Sequence, residues 1–145
     1  MVATKKAAAP DATNTNVLMT RPSANPDGSF TVTWRRNNSK KEAAAMYGWC
    51  APASSATDYI YRNEGGCFFY SKDRNILPAM VPVVAPDLID GPIPMVVTMR
   101  YCPKAGLVHV RFDQGAEVLI ASGLANDLVP AVMLLSAGES CEIVP

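Results

Sequence analysis

The feature that most restricts this chain is a series of short apolar stretches in which every second residue is hydrophobic. Phe30, Val32 and Trp34 alternate with Thr31, Thr33 and Arg35, and Val108, Val110 and Phe112 alternate with Leu107, His109 and Arg111. Successive side chains of a strand point to opposite faces, so each stretch buries one face and wets the other. A helix turns by about 100° per residue and cannot hold that alternation.

Turn-forming residues separate further stretches of the same kind. Asn63, Glu64, Gly65 and Gly66 lie between residues 59–61 and 67–70, which predicts a hairpin. A second hairpin is expected from residues 95–101 and 107–112 around Cys102, Pro103 and Gly106. Residues 118–121, 129–135 and 141–144 supply the last strands. The run 128–135 does not alternate and contains Pro130, but its length and the β-branched Val129 and Val132 favour a strand. Ser39 and Glu42 have capping-box spacing and precede Ala43, Ala44, Ala45 and Met46, predicting one short helix. The expected fold is mainly β: a β-sandwich or jelly roll, or a partly open barrel, with one helical insertion.

Residues 1–27 are rich in Ala, Thr, Asn and Pro and, apart from Val17–Met19, lack any apolar period. This composition predicts an extended N-terminal arm (1–27) ahead of a sandwich domain (28–145). The 13 basic and 13 acidic residues balance overall, yet seven bases and only two acids fall in residues 1–41. A basic leader on an acidic body suits a negatively charged neighbour. Lys5 and Lys6 are the arm's candidates for contact with another subunit, and Arg35, Arg36, Lys40 and Lys41 are candidates for nucleic acid or an acidic partner. The alternation turns Trp34 toward the core, and the chain as a whole is not basic, so a solvated loop and helix start is the preferred reading of this stretch and nucleic acid the less expected one.

The N-terminal residues contain no apolar run of signal-peptide type, and no stretch has membrane-spanning length, so synthesis in the cytoplasm without secretion or membrane insertion is expected. Cys50, Cys67, Cys102 and Cys141 are widely spaced and are expected to be free thiols. No paired ligand spacing suggests a metal, and no glycine-rich phosphate loop suggests a cofactor. His109 is the sole histidine and sits in a strand, Asp87 and Asp90 lie in a proline-bounded loop, and the chain has no GxSxG. No catalytic constellation emerges, and a non-enzymatic role is expected.

The most distinctive interaction feature is segment 78–95, where Pro78, Pro82, Pro86, Pro92 and Pro94 interrupt an apolar series. Proline excludes such a segment from the middle of a sheet, so it is expected at an edge. Met80, Val81, Val83 and Val84, followed by Leu88, Ile89 and Ile93, would there form an interface. Tyr47, Trp49, Tyr59 and Tyr61 could form an aromatic ligand platform, although core packing is the preferred role.

With its small β body, low-complexity arm, apolar connector and lack of a catalytic group, the chain resembles in layout the small decoration or cement proteins of bacteriophage heads and the small coat proteins of simple viruses. The resemblance implies a virion component that forms homo-oligomers, for instance trimers, and binds a major coat protein. Two alternatives stand beside it. One is a free β-sandwich binding module for a protein or carbohydrate; the other is a small coat protein whose basic arm contacts nucleic acid.

Overall fold

A computed structural model of the chain describes residues 2–4, 15–37, 45–53, 65–83, 96–135 and 140–144. Among these residues every regular element is a strand. One antiparallel sheet runs in the order β1 (Val2–Thr4), β12 (Ser140–Val144), β3 (Phe30–Arg36), β8 (Val96–Cys102), β9 (Leu107–Phe112) and β10 (Val118–Ala121). The other runs β2 (Thr15–Leu18), β11 (Val129–Leu134), β4 (Ala45–Cys50), β5 (Cys67–Tyr70), β6 (Asn75–Leu77) and β7 (Val81–Pro82). The two six-stranded sheets form the expected β-sandwich.

The first sheet keeps the alternation read from the sequence. In β3, β8, β9 and β12 alternate residues are buried, leaving Thr33, Thr98, Arg100, His109 and Arg111 on the wet face. The second sheet is different, because β4 is buried at all six positions and β11 at five of six. Its inner face, with Ala45, Tyr47, Trp49, Val132 and Leu134, joins the main core. Its outer face, with Met46, Phe68, Ala131 and Met133, forms a second apolar cluster. A strand buried on both faces reads as a continuous hydrophobic run, which is why 128–135 lacks a period.

Three aromatic pairs cross the space between the sheets: Trp34 with Tyr47 (5.9 Å between ring centroids), Tyr101 with Trp49 (4.9 Å) and Phe112 with Phe69 (4.6 Å). Each takes one ring from each sheet, so the sandwich is joined by tilted aromatic contacts in three places. Pro130 is tolerated inside β11 because its carbonyl accepts the Met19 N–H (3.0 Å) on the β2 side. The N–H that the ring replaces would point the same way, beyond Leu18, the last β2 residue in the ladder, and no bond to β4 is lost.

Several expectations need correction. Ala45 and Met46 belong to β4 and not to a helix, since Tyr47 and Trp49 must both reach the core and a two-residue repeat delivers them there; residues 39–44 lie outside the described residues. The arm is not separate from the domain where it is described, because β1 pairs with β12 and β2 pairs with β11. Edge strands need little apolar surface of their own; main-chain pairing holds them, and Val17 and Met19 add contacts with the core. Both sides of β5 are taken, by β4 and β6, so its partner is not the segment 59–61.

The four cysteines are free, with Cys50, Cys67 and Cys141 buried and Cys102 half-buried. Burial pushes the Cys67 thiol up to about 12, which removes the reactive thiolate at neutral pH. A pulse of iodoacetamide on the folded protein is therefore expected to label Cys102 first, with the other three reacting only after unfolding. Peptide mass spectrometry checks the order, and early labelling of Cys67 would contradict it.

Candidate functional site

The two sheets end at β10 and β7, and the space between these edges is a groove. Its volume is about 380 Å³, and it is lined on one side by Ile120 to Leu124, on another by Ile76 to Ala79 with Val81, and at its base by Gly65 to Cys67. That volume falls within the range of small-ligand clefts.

The wall that follows β10 is held by long-range bonds. The Leu124 and Ala125 amides donate to the carbonyls of Gly106 (3.1 Å) and Gly65 (3.2 Å). The Tyr101 hydroxyl donates to the Ala125 carbonyl. Arg21 donates through Nε to the Leu128 carbonyl (2.8 Å) and through Nη2 to that of Asn126, while its guanidinium lies 4.9 Å from the Phe30 ring centroid and 5.5 Å from that of Tyr101. Gly106 has φ +65°, and a Cβ there would come within 3.0 Å of the Leu124 backbone, so the contact depends on glycine. Burial also raises the Tyr101 pKa, keeping the phenol a neutral donor. Tyr101→Phe should cost about 1 kcal/mol and accelerate amide exchange in residues 122–126, as read by hydrogen exchange; unchanged exchange there would show that the hydroxyl does not hold the wall.

The facing wall is the turn between β6 and β7. Ile76 pairs with Val81, the Leu77–Pro78 peptide is cis, and Met80 has φ +56°. A non-glycine residue in the left-handed region is uncommon, and here it displays the Met80 side chain, 69% exposed, beside Val81 at 54%. A flexible thioether is well suited to fit varied apolar surfaces.

Segment 78–95 therefore divides. Met80 and Val81 are exposed as expected of an interface, whereas Val83 packs into the main core after its amide bonds to the Arg74 carbonyl (3.0 Å), and is not an interface residue. Val84, Leu88, Ile89 and Ile93 lie outside the described residues, as do Asp87 and Asp90.

The proposed basic surface is also reduced. Arg36 is buried, because the same two-residue repeat that sends Val32 and Trp34 inward sends Arg36 with them. Arg35 stays exposed and pairs with Glu142 at 3.5 Å. Lys5, Lys6, Lys40 and Lys41 lie outside the described residues. Of the aromatic platform, Tyr47 and Trp49 are fully buried, while Tyr59 and Tyr61 are not described.

On the wet face of the first sheet, Arg100 donates to both carboxylate oxygens of Glu117 and lies 3.8 Å from Asp27. The guanidinium holds the Glu117 carboxyl below its usual range. His109 stands beside Arg100 and Leu119 in the ladder, and lines neither this groove nor a second cavity of about 450 Å³. The second cavity lies between residues 18–22 and the buried Val32 and Ile143, with Arg21 on its wall already committed to the loop carbonyls. Among the described residues no group of three or more potential metal ligands occurs.

The chain superposes on the SPRY domain of human HERC1 with a TM-score of 0.70, covering 90% of this chain and 82% of that one at 14% identity. It has the SPRY fold. A human SPRY domain structure gives a TM-score of 0.65 at 10% identity, covering 93% and 86% of the two chains. The TRIM65 PSpry domain gives 0.62 at 14% identity, covering 90% and 70%. No family model and no curated protein matches the sequence.

In this SPRY-like sandwich, residues 120–124 and 65–67 were missed as site residues. The sequence marks Met80 and Val81 through the prolines around them. It carries no local pattern that brings them to a strand some forty residues away.

Proposed function

We propose that the chain is a β-sandwich binding module that takes a protein ligand at the groove between β10 and the β6–β7 turn. The observation that carries this reading is the display of Met80 and Val81, 69% and 54% exposed, beside a ligand-sized groove whose opposite wall is pinned in place. Single exposed apolar side chains are ordinary. Here Val81 lines the groove and Met80 adjoins it in the chain, and the two together offer a recognition surface. The likeness to SPRY domains supports a protein-binding role. A carbohydrate ligand has less support, because the described half of the aromatic platform, Tyr47 and Trp49, is in the core.

A low-complexity arm was one of the features behind the resemblance to shell proteins. The described parts of residues 1–27 pair within the chain, and that support falls away. A non-catalytic role is part of the proposal, since His109 and Glu117 stand on the sheet face and outside the groove.

Nine-residue peptides selected from a random library displayed on phage supply the test. Val81→Asp should weaken the selected peptides at least tenfold, the loss of a buried valine contact being worth about 1.5–3 kcal/mol. The thermal midpoint should stay near that of the parent, because the side chain is exposed. Unchanged affinity in V81D, or failure to select any peptide, would overturn the proposal.

A further inference from the structure

We propose that the ligand is an extended, uncharged peptide segment that adds as a strand to the free edge of β10 and lodges alternate side chains in the groove. This rests on the groove being the binding site. Among the described residues β10 is bonded only to β9, so one row of its main-chain groups has no strand partner. Val118–Ala121 contains no charge and no proline, and Leu119 is 52% exposed. Such an edge is a template for pairing unless something blocks it. The facing edge cannot serve in the same way, since β7 has two residues and Pro82 has no N–H.

A bulge fixes how β10 meets the groove. Val118 pairs with Val110 and Leu119 with His109, but the next partner of Val108 is Ala121, which leaves Ile120 as the extra residue. Ile120 and Ala121 both line the groove and pack against the core. A bulge at an edge re-aims side chains and stops regular pairing. The ladder offered to a partner is therefore short, about 13 Å for four residues at 3.3 Å each.

Charge and size choose the occupant. None of the thirteen groove-lining residues is Asp, Glu, Lys, Arg or His, so the inserted side chains must be uncharged. A stable interface between two copies needs about 20–30 residues a side and a regular edge. Thirteen residues and a bulged ladder fall short of that and suit a short peptide. In strand addition the main chain supplies affinity while the pocket reads alternate side chains.

The test uses the full chain and the tightest selected nine-residue peptide in three forms: unmodified, and methylated on the odd-numbered or the even-numbered backbone nitrogens. Strand addition predicts that one methylated form binds at least tenfold more weakly while the other keeps most of its affinity, and that the unmodified peptide slows amide exchange across Val118–Ala121. If both methylated forms bind like the parent and β10 exchange is unchanged, while Val81→Asp still weakens binding, strand addition fails and the groove stands. If Val81→Asp has no effect, both fail. A sedimenting dimer that Leu119→Lys dissociates would give the edge to a second copy and overturn the proposal.

Discussion

Gly48→Ala is expected to lower the thermal midpoint by about 15 °C, a cost of about 4 kcal/mol. A Cβ at this position would lie 2.0 Å from the Cys67 carbonyl oxygen and 2.8 Å from the Phe68 Cα. Both atoms are backbone of β5, which pairs Phe68 with Gly48, so no rotamer change relieves the clash. Relief requires moving β5 away, and β5 carries Phe69 in the main core and Phe68 in the second cluster. Domains are stable by only about 5–15 kcal/mol, so this one methyl group removes a large share. Circular dichroism during heating reads the shift. A midpoint within a few degrees of the parent would show that β4 and β5 are not packed this closely.

Trp34→Ala should cost a similar amount, about 4 kcal/mol, through the cavity left between the sheets. Trp34 is fully buried and meets Tyr47 of the opposite sheet. Thr33 is the internal control, one residue away on the wet face and bonded to the Thr98 hydroxyl at 3.0 Å. Thr33→Ala should cost about 1 kcal/mol or less. Urea unfolding of both variants, with unchanged slope, tests the contrast. Equal effects at 33 and 34 would deny that one face of β3 is the core.

The sheet with one wet face was legible because its pattern is local. Val108, Val110 and Phe112 state their direction within six residues, and the strands at Leu107–Phe112 and Val118–Ala121 fall where the sequence puts them. The second sheet was less legible because both of its faces are apolar. Ala45 to Cys50 shows no period, and the alanines before it imitate a helix start. The pairing of β1 with β12 and of β2 with β11 was hidden for another reason: composition reports side-chain character, while a strand at a sheet edge is joined through its main chain. Half of the candidate site, Met80 and Val81, stood out through its prolines. The other half depends on a tertiary meeting of two sheet edges, which no local pattern records.

The order of strands also governs when this molecule can fold. The first four strands fall alternately in the two sheets, and the last two insert among them, β12 between β1 and β3 and β11 between β2 and β4. Val2 must find Glu142, and Leu18 must find Ala131. Such distant pairings are slow, because the closure entropy is lost before the contacts form. On a ribosome, β1 to β4 emerge early and must wait for β11 and β12, with the apolar faces of Tyr47 and Trp49 uncovered meanwhile. A nascent chain of this topology has a window of vulnerability set by the length of its own message, and it closes only when the last strands arrive.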